Sequence, residues 1–232
     1  MNLSNICLNN FPLIIMDRRY HPVSHPIPLS TLALYGILPY MSNMQSNTDL
    51  HKFVQKINLL DNKSCMDIIE YINKARKRVH KFYNVYKKET EFENSPKMVV
   101  DESKEFADIS GVIVDMQYKF ISAYITEFIK MPWFTTWAGY TPPKFLSYAK
   151  GEEMEMHCDH IHSINTEPRG IPILTIICLL NDNFEGGEVH LIDKNYKLKA
   201  GEAVIFPSNF LYPHKINPVK EGVRHSMSTW VY

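Results

Sequence analysis

Lys144-Phe-Leu-Ser-Tyr-Ala-Lys-Gly-Glu-Glu-Met-Glu-Met-His-Cys-Asp159 reads as a strand, a turn and a second strand that ends on two potential ligands. Residues 145–148 and 153–159 are rich in strand formers, and Lys150-Gly151 between them is a turn signal. Side chains two apart on a strand project to the same face, so His157 and Asp159 can reach one point while Cys158 turns away into packing. Five further short β-rich segments follow, at 171–180, 188–192, 202–206, 214–217 and 226–232. Turn signals such as Asn181-Asp182-Asn183 and Lys199-Ala200-Gly201-Glu202 separate them. Many short strands at this spacing predict a β-sandwich or jelly roll.

Upstream the texture differs. Five of the fourteen prolines fall within residues 1–55 (Pro12, Pro22, Pro26, Pro28, Pro39), which argues for short strands and loops there. The stretch 61–93 predicts a helix capped by Asp61, with Met66, Ile69, Ile72, Val79, Phe82, Val85 and Tyr86 near helical spacing. Lys74, Arg76, Lys77 and Arg78 then form its solvated face. A second helix is expected over 109–130 on the stripe Val112, Met116, Phe120, Tyr124, Phe128, with Pro132 stopping it. The expected class is α+β: a jelly-roll core over 141–232, with helices on its outer face. Strands, loops and two long helices of 1–140 support it as one catalytic unit.

Lys+Arg and Asp+Glu are both 25, so no overall basic field draws in nucleic acid. The four cysteines (Cys7, Cys65, Cys158, Cys178) form no CxxC pair and read as reduced thiols. The longest strongly apolar run, 171–180, falls well short of the roughly 20 residues of a membrane-spanning helix. The N-terminus lacks the basic region of a secretory signal. A soluble, cytoplasmic protein is expected.

His157 and Asp159, answered far downstream by His214, have the composition of a 2-His-1-carboxylate facial triad. Such a set leaves coordination positions open for chemistry, unlike a closed structural site. Arg224, ten residues after His214, is a cation suited to the far end of an acidic cosubstrate. Taken alone, the HxD pair fits a hydrogen-bonded structural histidine equally well; the surrounding pieces decide.

Those pieces are Tyr148-Ala-Lys-Gly151, His157-Cys-Asp159 and Leu179-Leu-Asn-Asp-Asn-Phe-Glu-Gly-Gly-Glu188. Downstream come Gly201-Glu-Ala-Val-Ile-Phe-Pro207, His214 and Gly222-Val-Arg-His-Ser-Met-Ser-Thr-Trp230. In this order the chain from 144 to 232 resembles the prolyl-4-hydroxylase-like branch of the 2-oxoglutarate/Fe(II) oxygenases. The resemblance implies a double-stranded β-helix core with His157, Asp159 and His214 as Fe(II) ligands. It implies Arg224 on the distal carboxylate of 2-oxoglutarate, with Ser226, Tyr148 and Thr175 as further hydrogen-bonding partners. The implied reaction couples oxidative decarboxylation of 2-oxoglutarate to hydroxylation of an unactivated C–H bond, with ascorbate as reductant. Peptidyl proline, another amino-acid side chain or a small molecule would be the substrate. Prolyl hydroxylases often carry lysine where this chain has Arg224.

Two other readings fit less of the chain. A cupin-like metalloprotein that does not use 2-oxoglutarate gives Arg224 and Ser226 no task. A non-catalytic jelly-roll binding module leaves the triad unexplained. Among the remaining features, Gly186-Gly187 reads as a structural turn and Glu188 as a turn anchor. His160 and His162 read as rim residues, and the aromatic run Trp133, Trp137, Tyr140 as a packing plug between helices and sheet.

Overall fold

The computed structural model describes residues 49–80, 94–101, 103–130, 137–159 and 171–232, the side chains of 127–129 excepted. The expectations for 1–48 and 81–93, and those placed on Phe128, Pro132, Trp133, His160 and His162, lie outside these residues.

Alternation along the last strand organises the molecule. On β13 (Arg224–Val231), Arg224, Ser226, Ser228 and Trp230 share one face, and His225, Met227, Thr229 and Val231 share the other. Strand β13 lies between β6 (Leu174–Leu179) and β4 (Lys144–Tyr148), antiparallel to both. They belong to a seven-stranded sheet ordered β1-β10-β6-β13-β4-β3-β2. Here β1 is Gln55–Asn58, β2 Lys77–Val79, β3 Lys97–Val99 and β10 Glu202–Pro207. A four-stranded sheet, β5-β11-β8-β9, comprises Met154–His157, His214–Ile216, Val189–Leu191 and Lys194–Tyr196. Strands β7 (Glu185–Gly186) and β12 (Val219–Glu221) pair separately.

Two cores follow from the two faces of the large sheet. Leu146, Tyr148, Ile177, Val204 and Phe206 point inward and meet Met154, Val189, Leu191 and Ile216 of the small sheet. Phe145, Ile176, Ala203, Ile205, Met227 and Val231 point outward and pack under the helices. This is the expected jelly roll with helices on its outer face. Three strands of the large sheet, β1–β3, come from before residue 141.

The two α-helices among the described residues are each capped at the N-terminus by a side chain. In α1 (Asn62–Lys74) the expected Asp61 cap accepts from the Ser64 N–H at 2.7 Å. In α2 (Lys104–Ala123) Ser103 accepts from the Phe106 N–H. The expected helix over 61–93 is corrected: α1 stops at Lys74, and the chain extends at Ala75 into β2. Pairing with β3 overrides helical propensity there, and the Lys77 ammonium donates to the Ile72 carbonyl at the helix end. The expected stripes hold in part, with Ile69, Ile72, Met116, Phe120 and Tyr124 on the outer core. The buried face of α1 is Cys65, Ile68, Tyr71 and Ile72, with Met66 63% exposed. That of α2 is Ser110, Ile113, Gln117 and Ile121, with Val112 63% exposed. Helix α2 starts five residues earlier than 109 and runs on as a π-helical turn, Tyr124–Ile129. Trp137 packs against Tyr118 and Tyr140 under the outer core, which fits the plug reading.

Candidate metal centre

His157 ends β5, and His214 sits directly across from it at the start of β11. Asp159 lies two residues past β5, in a bend. The alternation argument therefore holds for His157, while a bend completes the approach of Asp159. Cys158 does not enter the core: it is half exposed, with its thiol toward the Phe210 carbonyl at 3.8 Å.

The three side chains converge. Nε2 of His157 lies 3.6 Å from Asp159 Oδ1, and Nε2 of His214 lies 3.4 Å from Asp159 Oδ2. One ligand atom from each lies within 4.8 Å of the others. Metal bonds of about 2.1 Å at right angles put adjacent donors about 3 Å apart, close to this spacing. The far side of each ring fixes its tautomer. His157 Nδ1 faces the Glu155 carbonyl at 2.7 Å and His214 Nδ1 the Tyr212 carbonyl at 3.2 Å. Carbonyls only accept, so both Nδ1 atoms carry the proton and both Nε2 lone pairs point inward.

Electrostatics prepare the same donors. Burial holds His214 down to about 4, against the pull of Asp159, so its imidazole is neutral and able to ligate. Burial raises the Asp159 carboxyl, while attraction to His214 and His157 in their protonated forms and the Thr175 hydrogen bond lower it, and the net shift is downward; with neutral imidazoles it is the Thr175 hydroxyl that favours the carboxylate. Thr175 donates to Asp159 Oδ2 at 2.7 Å and accepts from Ser208 Oγ at 2.7 Å. In this arrangement its hydroxyl orients Asp159. The Trp230 indole N–H is near enough to favour the charged carboxylate, though it falls short of hydrogen-bond geometry. Phe206 packs edge-on against His214, ring centroids 5.0 Å apart, and shields it from water. Two imidazoles and one carboxylate on one side of a common point fit ferrous iron and leave positions open.

The second half of the site lies further along the inner row of β13. Arg224 is 1% exposed, which excludes a surface ion pair. Its Nε donates to the Gly187 carbonyl at 2.9 Å and its Nη1 to Ser226 Oγ at 2.7 Å. Its Nη2 is buried with no hydrogen-bond partner. Burial lowers the Arg224 pKa, yet a guanidinium stays charged throughout the working range. The Tyr148 ring flanks it, 4.9 Å from Cζ to centroid, and burial pushes the phenol up to about 12, leaving it a donor. A buried cation with a free N–H is a socket for an anion. A cavity of about 460 Å³ reaches it past Gly187, Phe184 and Tyr196.

Sequence reasoning missed three contributors. Ser208 backs Thr175, and nothing in its surroundings signals that. Asn181 accepts from the His225 N–H at 2.7 Å and donates to the Val223 carbonyl, so it sets the start of β13 beside Arg224. Gly187 is more than a turn residue. It has φ +64°, and a Cβ there would lie 2.8 Å from Arg224 Cδ and 3.0 Å from Phe184. Gly187→Ala is therefore expected to weaken binding of an anionic ligand at Arg224 about tenfold, roughly the cost of the strained φ plus a displaced guanidinium. Metal affinity should be unchanged. Calorimetry on Mn(II)-loaded protein measures both, and equal loss of both would show a general disruption instead. Glu188 is held by Asn217, as expected of a turn anchor.

Comparison with known proteins gives a family match over the C-terminal strands and solved structures of similar fold. Residues 143–232 match the 2OG-Fe(II) oxygenase superfamily. A PKHD-type hydroxylase from Psychrobacter is 36% identical over 100 residues, covering 39% of this chain and 37% of that protein. The PKHD-type hydroxylase PiuC of Pseudomonas aeruginosa is 30% identical over 97 residues, covering 38% and 42%. The chain thus spans less than half the length of these curated relatives. Among solved structures, a viral collagen prolyl hydroxylase of Paramecium bursaria Chlorella virus-1 aligns with TM-score 0.53 at 16% identity. The alignment covers 77% of this chain and 94% of that one. A Pseudomonas putida prolyl-4-hydroxylase aligns with TM-score 0.54 at 12% identity, covering 77% and 91%. These likenesses establish a shared fold. Among the described residues no helix is long and apolar enough to cross a membrane.

Proposed function

We propose that this chain, whose residues 143–232 form a domain of the 2OG-Fe(II) oxygenase superfamily, is a ferrous-iron- and 2-oxoglutarate-dependent dioxygenase. It hydroxylates an unactivated C–H bond and releases succinate and carbon dioxide. The observation that carries this reading is the pairing of an inward-facing His157–Asp159–His214 triad with a buried Arg224 whose Nη2 is unpartnered. A cupin-like protein without 2-oxoglutarate has no use for that cation, and a binding module has no use for an open triad.

Iron held by the triad would supply dioxygen activation coupled to decarboxylation. The chain's own residues do the rest. Thr175 and Ser208 hold the Asp159 carboxylate, and the Glu155 and Tyr212 carbonyls hold the imidazole tautomers. Arg224, steadied by Gly187 and Ser226, offers charge-assisted hydrogen bonds to the distal carboxylate of 2-oxoglutarate, with Tyr148 as a further donor. Such fixed orientation is the protein's main contribution when a cofactor carries the chemistry. Residues 49–140 and 141–232 act as one catalytic unit in a cytoplasmic protein, and ascorbate serves as the external reductant.

The substrate is a peptidyl proline or another amino-acid side chain. The prolyl hydroxylase of Trichoplax adhaerens, similar in fold with TM-score 0.53, was solved with a peptide fragment of the hypoxia inducible factor oxygen degradation domain. Arg224, where prolyl hydroxylases often carry lysine, weighs against the peptidyl proline and toward the second choice.

Anaerobic addition of Fe(II) and 2-oxoglutarate to the metal-free protein tests the reading. A weak visible charge-transfer band that requires both additions, and fades in Arg224→Ala, is the expected result. Bound metal without a band would point to a cupin-like protein, and absence of metal binding would sink the enzyme reading.

A further inference from the structure

The inner row of β4 runs from Tyr148 through Leu146 to Lys144, so a cation stands where the row approaches the triad. Lys144 pairs with Ser228 across β13 and enters the barrel between the Arg224 and Trp230 positions. It is half-buried, and its ammonium lies 4.5 Å from the centroid of the Trp230 ring. Asp159 and Arg78 are the charges that act on it.

Strand β2 adds to this cationic wall. Arg78 is opposite Met98 on β3, and Met98 is opposite Leu146 on β4, so Arg78 shares the face of the sheet that carries Lys144. His80 follows on the same face; burial first, then Lys144, His157 and Arg78, hold it down to about 4 and leave it uncharged. Among the described residues, neither Lys144 nor Arg78 has a carboxylate within ion-pair distance.

A half-buried ammonium costs desolvation, and the face of Trp230 offsets only part of it. Asp159 does not neutralise it once that carboxylate serves a metal. In the loaded site a divalent ion, Arg224 and Lys144 exceed Asp159 and both carboxylates of 2-oxoglutarate by one positive charge. That excess lies where water screens poorly, so it favours a further anion.

We infer that Lys144 is a specificity-determining residue that binds an anionic group of the substrate, a carboxylate or phosphate beside the C–H bond to be oxidised, with Arg78 lining the approach. The inference rests on the oxygenase reading. It narrows the substrate to side chains or small molecules that carry negative charge next to the reacting carbon, and so sets aside the uncharged peptidyl proline.

The test uses the full chain loaded with Mn(II) and ¹³C-labelled 2-oxoglutarate, and reads paramagnetic broadening by NMR. The probes are acetate, its neutral isostere acetamide, and inorganic phosphate. The expected result is saturable broadening of acetate or phosphate, with acetamide at least about tenfold weaker. The stronger of the two anions identifies the group recognised. Lys144→Met should abolish the preference and Lys144→Arg should keep it, with 2-oxoglutarate broadened equally in all three proteins. Arg78→Gln should reduce the preference less than Lys144→Met does. If 2-oxoglutarate itself is not broadened, the oxygenase reading fails and takes this inference with it. If 2-oxoglutarate is broadened but the anions behave like acetamide, or Lys144→Met keeps the preference, the inference alone is overturned and Lys144 is a packing residue.

Discussion

Asp159→Ala and His214→Ala should each eliminate iron-dependent turnover while leaving a folded protein. Each removes one of three donors, and no other described carboxylate or imidazole shares the site to take its place. Loss of Asp159 also removes the negative charge that offsets the metal. The fold should survive, because Thr175 retains Ser208 as a partner and His214 remains packed against Phe206. Thr175→Val makes a graded companion. It keeps all three donors but frees the Asp159 carboxylate to rotate, and second-layer losses of this kind typically cost 10–100-fold in metal affinity. Equilibrium dialysis with Co(II), beside thermal melts and 2-oxoglutarate consumption, measures the series. Full activity in His214→Ala would discard the ligand assignment. A Thr175→Val protein that binds metal normally but loses 2-oxoglutarate would return Thr175 to the cosubstrate.

The site was more legible in the sequence than the scaffold that holds it, for identifiable reasons. His157, Asp159, His214 and Arg224 carry unusual chemistry at constrained spacing, and the strands around them alternate cleanly. The end of α1 was not legible because nothing at 75–76 breaks a helix; β2 forms there only because β3 lies beside it. The helix faces were legible only in part: Ile72, Met116, Phe120 and Tyr124 do pack on the outer core, but α2 also buries Gln117, held there by a hydrogen bond to Thr229 at 2.9 Å. Hydrophobic periodicity does not register a polar residue that is buried because it is paired. Asp159 was assigned to the strand of His157, and the bend that carries it is invisible to a two-residue alternation. Thr175 shows the same limit in the site itself. Its position was legible, but its partner was set by Ser208, which lies in a loop reached from another strand.

Arg224→Met is expected to abolish the response to 2-oxoglutarate while leaving the ligand-free protein about as stable as before. The two halves of this prediction have separate causes. The distal carboxylate loses a charged partner, and two hydrogen bonds to a charged group at about 1.5 kcal/mol or more each correspond to at least about 100-fold in affinity. In the ligand-free protein, however, Arg224 is a buried charge with no carboxylate partner among the described residues. Methionine leaves the Gly187 carbonyl and the Ser226 hydroxyl less satisfied, at about 1–3 kcal/mol each. Against that, it relieves a desolvation cost of several kcal/mol. The opposing contributions are of similar size, so the melting temperature should stay within about 5 °C of the parent. Melts with and without Mn(II) and 2-oxoglutarate check both halves, since a ligand that binds only the folded state raises the parent's melting temperature by mass action. Arg224→Lys should fall between the two, keeping the charge but losing the fork that Gly187 and Ser226 orient. A guanidinium present only to hold the barrel together would give the reverse pattern: a large fall in the ligand-free melt and an unchanged ligand response in whatever remained folded. An unpaired charge buried at this depth is tolerable only if the fold is selected for its loaded state, and the ligand-free melt of Arg224→Met measures that cost directly.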